Sequence, residues 1–321
     1  MTFLDSLRGK LKSAAVGEAP RAADHGGIAH RQLDTPWLKF AYSETMVGGT
    51  PVRYVETNRL AVKRIETLFT KEPTTIPWLE SFSPGDVMVD IGANVGMYSI
   101  YAAKVAEARV YAFEPEALNY AELNKNIYVN GLHGQVTAYC MAMSNENRVD
   151  RLLLGGFAEG LSHHDFGENT WTQDKDFGAI RTGKDERLEQ GCASFSLDFL
   201  VSSGSIPAPR HIKIDVDGLE SRVVDGCWNT LNGGSVESIL IEVDHRIPSC
   251  RAIVERMVGA GWRYSSDQLR ANRKVIFTEE QVARMREKGE GGFNYIFYRD
   301  GKYDDLFRRF LRTFTPPAAK K

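Results

Sequence analysis

Cysteine is scarce and scattered in this 321-residue chain: Cys140, Cys192, Cys227 and Cys250 include no CxxC pair. That spacing excludes a disulfide framework and a cysteine-based zinc site, and it fits reduced thiols. An excess of charge of either sign is lacking too. With 40 Lys and Arg against 42 Asp and Glu, the formal net charge is -2, which excludes a global pull toward phosphate backbones or anionic membranes. No aromatic-basic motif points to nucleic acid. No apolar run approaches the ~18–20 residues of a membrane span, and the first residues lack the apolar core and cleavage site of a signal peptide. The expectation is a cytoplasmic protein with no transmembrane segment and no nucleic-acid partner.

What is present divides the chain into three stretches. Residues 1–35 read as an N-terminal extension: Phe3, Leu4, Leu7 and Leu11 share one face of a short helix, and an Ala- and Gly-rich linker follows over 15–35. Residues 36–82 read as a small cap or substrate subdomain, with strands around Gly48-Gly49-Thr50-Pro51 and a helix from Arg59 to Phe69. From residue 83 to 321 strands alternate with helices. Val87–Ile91, Val110–Phe113, Val136–Met141, Ile212–Asp215 and Ile239–Val243 are strand candidates, with helices between them, and Phe293–Tyr298 is a final strand. Such alternation implies βαβ units and an α/β fold with a mostly parallel sheet. Residues 155–192 interrupt the pattern with seven glycines. They read as an insertion: a functional loop, a lid or a disordered segment.

The sharpest local signal is Asp90-Ile91-Gly92-Ala93-Asn94-Val95-Gly96, a strand running into a glycine turn and then a helix. Gly92 and Gly96 permit backbone angles closed to other residues and a close ligand approach. The carboxyl end of a first strand is where open α/β sheets bind nucleotides. A pyrophosphate fingerprint needs GxGxxG, but Asn94 holds the second glycine position here and Met97 the third. The Asp90 carboxylate suits the ammonium group of S-adenosylmethionine better than a pyrophosphate. Glu114, about twenty residues on, ends the second strand with Pro115 after it, where an acid accepts hydrogen bonds from ribose hydroxyls. At the end of the third strand, Ala142 and Met143 are placed to sandwich an adenine. The cofactor set is therefore Asp90, Gly92, Ala93, Asn94, Gly96, Glu114, Pro115, Ala142, Met143 and Asp215.

The run His211-Ile212-Lys213-Ile214-Asp215-Val216-Asp217-Gly218-Leu219-Glu220 closely resembles the signature of the FkbM-type methyltransferases, K-I-D-V-E-G-x-E, with Asp217 replacing the commoner Glu. The Asp90–Gly96 loop and Ser238-Ile-Leu-Ile-Glu242 fit that family in order and spacing. Phe69-Thr70-Lys71-Glu72-Pro73 is similar to a lead-in found in one of its branches. The resemblance spans roughly residues 60 to 245. It implies a class I methyltransferase: a doubly wound, seven-stranded, mostly parallel sheet with its last strand antiparallel, and S-adenosylmethionine at the carboxyl edge. It also implies O-methylation of hydroxyls on sugars or polyketide-like products, as in polysaccharide biosynthesis.

Methyl transfer to an alcohol needs a proton acceptor beside the oxygen. Asp215, at the end of the fourth strand, is the leading candidate base. Lys213 lies on the same face two residues earlier, and Glu242 and His245 at the fifth strand end complete the catalytic set. Asp215, Glu242 and Asp244 are the acids that a Mg²⁺ ion would use, although no metal is predicted. His163-His164-Asp165, Phe157, Trp171 and Phe177 in the insertion are candidate acceptor contacts. The expected reaction is O-methylation of a saccharide or glycosylated acceptor, a small molecule or an oligosaccharide, with homo-oligomerisation left open. The alternatives are an NAD-dependent sugar oxidoreductase and a non-catalytic adenosine-binding scaffold.

Overall fold

In a computed structural model of the protein, the described residues are 27–36, 38–167, 188–271 and 275–314. The expected helix over 3–14, Trp171 and Phe177 lie outside them.

The described chain opens with an antiparallel meander, β1 (Ala29–Asp34), β2 (Lys39–Val47) and β3 (Thr50–Val55). The linker expected over 15–35 is thus corrected at its end. His30, Arg31, Gln32 and Asp34 are polar and exposed, so the strand shows no apolar alternation and is held by pairing with β2 and by the His30 ring against Glu56 at 2.6 Å. Helix α1 (Arg59–Glu66) starts at Asn58, whose side chain accepts from the N–H groups of Leu60 and Ala61. It stops three residues short of the expected Phe69. Helix α2 (Thr75–Glu80) follows.

The central sheet then assembles. Strand β4 (Val87–Ile91) leads to α3 (Met97–Val105), β5 (Arg109–Phe113) to α4 (Ala117–Asn130), and β6 (Val136–Tyr139) completes one edge. A second small sheet is built from β7 (Ala142–Met143), β8 (Arg148–Leu154), β9 (Asp165–Phe166) and β10 (Leu188–Phe195), in the order β7-β10-β8-β9. The expected strand Val136–Met141 therefore ends at Tyr139, and the insertion expected over 155–192 contributes two strands of this sheet. Helix α5 (Leu197–Ser202), β11 (His211–Ile214), α6 (Glu220–Gly226), α7 (Trp228–Asn232), β12 (Ser238–Asp244), α8 (Pro248–Gly259), α9 (Ser266–Arg270), α10 (Glu279–Glu287), β13 (Gly292–Tyr298) and α11 (Lys302–Thr313) close the fold.

The central sheet runs β13-β12-β11-β4-β5-β6, all parallel except β13. It has six strands among the described residues, which corrects the expected seven. Arg263 takes the seventh position as a single antiparallel bridge to Tyr298, with both N–H···O bonds at 2.9 Å. The chain cannot extend that pairing, because Ser265 caps α9 two residues later.

Alternate residues of each strand feed two separate cores. Met88, Val110, Ala112, Leu240 and Ile296 pack on one face with α2, α3, α4 and α11. Val89, Ile91, Phe113, Ile214 and Ile241 pack on the other with α5 to α10. Two buried asparagines of α4 tie the meander to this body: Asn126 and Asn130 accept the N–H groups of Val55 (2.7 Å) and Arg53 (2.9 Å). No helix among the described residues is long and apolar enough to cross a membrane.

Candidate active site

At the carboxyl edge of β4, β5, β6 and β11 lies a cleft whose empty space, open mouth included, is about 770 Å³, a size suited to a cofactor. Gly92 and Gly96 open the turn between β4 and α3 at φ 77° and 83°, in the left-handed region. Close packing excludes a side chain at either position. A Cβ on Gly92 would lie 1.9 Å from the Asp215 carbonyl oxygen, and one on Gly96 would lie 2.3 Å from Leu123 Cδ1. Between them Asn94 also takes a positive φ of 51°.

Glu114 stands at the end of β5, buried. Its Oε2 accepts the Asn94 N–H at 2.7 Å and its Oε1 that of Glu116 at 2.9 Å. The Asn119 side chain adds a third bond, which leaves the carboxylate with acceptor capacity to spare. Burial outweighs these bonds and raises the carboxyl to about 7. Pro115, Met141, Ala142 and Met143 continue the wall, with Leu152 and Phe166 from the small sheet opposite.

Of the expected cofactor residues, Gly92, Asn94, Glu114, Pro115, Ala142, Met143 and Asp215 line the cleft. Asp90 is a correction. It is 1% exposed and lies behind the wall, where it accepts from Ser99 Oγ at 2.5 Å and faces Lys213 at 3.8 Å. Ala93 and Gly96 shape the turn from behind.

The second half of the site is a charged cluster. Lys213 is 2% exposed, and its Nζ donates to Asp215 Oδ2 at 2.9 Å. Burial opposes its charge, but Asp215, Asp90 and Glu72 outweigh burial and hold the ammonium firmly protonated. Burial likewise opposes the Asp215 charge, and Lys213 with Lys71 reverses that, holding the carboxyl well below its ordinary range. Glu242 is hydrogen-bonded to Asp215 and goes the other way, pushed up first by the Asp215 charge and then by burial. The two carboxyls are thus driven apart, Asp215 toward the ionised form and Glu242 toward the protonated one.

Asp217 joins them. Oxygens of Asp215, Asp217 and Glu242 lie within 4.8 Å of one another, so Asp217 replaces Asp244 in the expected acidic trio. The Asp244 carboxylate turns instead to Arg246, at 2.6 to 3.1 Å. His245 is a second correction. It is 3% exposed, hydrogen-bonded to the Tyr295 hydroxyl at 2.9 Å, and outside the cleft lining. Glu242 is on β12, whereas His245 follows its last residue in a turn that carries the ring to Tyr295.

A strap over 155–164 roofs the cleft, and side chains from four places hold it. Asn94 Nδ2 and Asn119 Nδ2 donate to the Leu161 carbonyl at 2.7 and 2.9 Å. Arg64 Nε donates to Gly160 O at 2.8 Å, and Asn58 Nδ2 to Glu159 O at 3.0 Å. His163 meets Asp217 through its backbone N–H at 2.6 Å and its ring Nδ1 at 3.1 Å. Ser162, His164, Arg64 and Lys71 line the cleft, and none of them belonged to the expected cofactor or catalytic sets. Phe157 is exposed and away from the lining.

This geometry agrees with sequence comparison. The profile described as "Methyltransferase FkbM domain" matches residues 90–264, more than half of the chain. The chain belongs to the FkbM methyltransferase family. It is therefore an S-adenosylmethionine-dependent methyltransferase, and the oxidoreductase alternative is set aside. Among relatives of this FkbM methyltransferase is "Hexuronic acid methyltransferase AglP" of Haloferax volcanii, 26% identical over 197 residues, covering 61% of this chain and 72% of that protein. Another is "31-O-demethyl-FK506 methyltransferase FkbM" of Streptomyces tacrolimicus, 26% identical over 223 residues, covering 64% of this chain and 83% of that one. A solved structure, methyltransferase FkbM from Methylobacillus flagellatus KT, is matched with a TM-score of 0.40 at 12% identity, over 75% of this chain and 55% of that one.

Proposed function

We propose that the enzyme methylates a hydroxyl of a saccharide or glycosylated acceptor, with Asp215 as the proton acceptor. The observation that carries this reading is the Lys213–Asp215 contact at 2.9 Å, placed in one cleft with Glu114 and the glycine turn. A half-buried aspartate held ionised by a lysine stays in its proton-accepting form across the neutral range, and as a weak base it takes the proton once methyl transfer has made the oxygen strongly acidic. Its neighbour Glu242, pushed toward the protonated form by the Asp215 charge, is the poorer acceptor of the two. The hexuronic acid named in one relative supports a sugar acceptor.

The residues fit the family's cofactor on two counts. The wall offers a buried, doubly anchored carboxylate for a ribose diol, and the glycine turn lacks the second and third glycines that a pyrophosphate needs. Gly92, Asn94, Glu114, Pro115, Ala142 and Met143 would hold it. When bound, S-adenosylmethionine supplies an electrophilic methyl group on a sulfonium. The chain's own part is to align the acceptor oxygen, exclude water beneath the strap, and take the hydroxyl proton on the Asp215 carboxylate. Lys213 keeps that carboxylate ionised. Asp215 and Asp217, from the loop after β11, line the acceptor end of the cleft, with Glu242 of β12 beside them.

The test is transfer of a labelled methyl group to a panel of hexoses, hexuronic acids and their glycosides. Label should appear in an ether linkage on sugar, and Asp215→Asn should abolish it while cofactor binding persists. Cofactor binding without label on any saccharide would overturn the acceptor assignment.

A further inference from the structure

The acids of the cleft all have partners. Asp215 has Lys213, Asp217 has His163, Glu114 has two backbone N–H groups, and Glu242 is hydrogen-bonded to Asp215. The cations on the opposite wall are less well matched. Arg64 on α1 spends its Nε on the Gly160 carbonyl, and no carboxylate among the described residues stands in ion-pair contact with its guanidinium. Lys71 lies in the segment after α1, 48% exposed, with Glu72 at 3.2 Å as its one ion-pair contact among the described residues and the charges of Asp215 and Glu242 farther off. The two charges repel each other, yet both line the same cleft.

A neutral donor at residue 64 would hold Gly160 equally well, so support of the strap does not require the charge. An anion between the two cations would relieve their repulsion. A guanidinium fork beside an ammonium suits a planar, singly charged carboxylate. A doubly charged phosphate would meet Asp215 and Asp217 nearby. We propose that Arg64 and Lys71 form a seat for the carboxylate of a bound ligand. This rests on the methyl-transfer reading, under which two ligands carry that group: the amino-acid end of the methyl donor, and an acceptor that is a uronic acid.

Calorimetry and kinetics on the full chain separate these sources. Arg64→Gln and Lys71→Gln are compared with the native enzyme using S-adenosylmethionine and 5′-methylthioadenosine, which lacks the amino-acid end. They are then compared using a glucuronide and the matching glucoside. If the seat holds the donor, each variant binds S-adenosylmethionine about tenfold more weakly and methylthioadenosine unchanged. If it holds the acceptor, donor affinity is unchanged while KM for the glucuronide rises about tenfold and the glucoside is unaffected. Arg64→Lys should restore most of either loss. Lys71 makes no bond to the strap, so Lys71→Gln decides the matter if Arg64→Gln melts early. Variants within twofold of native on all four ligands overturn the seat alone. A native enzyme that neither binds the donor nor methylates removes the underlying reading, and the seat with it.

Discussion

Glu114 and Asp215 sit in one cleft, at the ends of strands on either side of β4, and are held in opposite states. Glu114 is buried and Asp215 half-buried. Glu114 has two backbone N–H groups and no cation within reach, so burial dominates and its carboxyl rises to about 7. Asp215 has Lys213 at 2.9 Å and Lys71 beyond it, and these overcome burial. In a desolvated cleft the nearby counter-charge decides which acid waits as a base and which titrates near neutrality.

Five measurements sharpen or break that contrast. Asp215→Asn should show the largest effect, lowering turnover by ~10²–10⁴-fold with donor affinity retained; near-native turnover would remove Asp215 as the base. Lys213→Met strands the buried Asp90 carboxylate beside the half-buried Asp215, and should lower stability by ~3–5 kcal/mol in denaturant titrations. It should also shift the acid limb of the rate profile to higher pH, because Asp215 loses its largest counter-charge. Glu114→Gln keeps an acceptor but not the charge, and should weaken donor binding by ~1.5–3 kcal/mol with little change in the pH profile of turnover.

The pH dependence of binding should be smaller again. A ribose diol favours the ionised form of Glu114. Its pKa in the protein, about 7, lies above its ordinary value, so below pH 7 binding must first expel a proton. Calorimetric affinity for S-adenosylmethionine should fall by up to about tenfold per pH unit below that point and level off above it. Glu220 is raised to about 7 by burial as well. Both groups thus favour the ligand-free fold at acid pH, and that contribution is lost as pH rises from the unfolded range through 7. Smallest of all, His245→Ala should leave turnover within threefold of native. It should lower the melting temperature, because the Tyr295 hydroxyl loses its partner at a cost of ~1–3 kcal/mol.

The strands that carry the cleft were legible because each is a short apolar run ended by a turn or a charged residue. β4, β5, β11 and β12 fall within a residue or two of their expected positions, and the turn after Asp90 was legible from its glycines. The strap was not, because its anchors are amide–carbonyl bonds between residues far apart in sequence, such as Asn94 and Leu161. No local pattern announces such a bond. Arg64 and Lys71 were missed because they lie before the βαβ alternation begins. His245 was misplaced because it lies in the turn after β12, where strand periodicity no longer says which way a side chain faces. Exchanging Asp244 for Asp217 needed coordinates: Asp217 takes a positive φ of 57° just beyond β11, which no residue periodicity encodes.

The absent side chain at residue 92 has a mechanical consequence. With room for no more than a hydrogen between that turn and the main-chain oxygen of residue 215, the donor-holding bend and the proton-accepting strand end move as one rigid piece. Any substituent there would have to push the two apart. Affinity and rate would then fall together, as a single hinge loosens two doors, and adjusting donor grip without disturbing the chemistry would have to begin elsewhere on the wall.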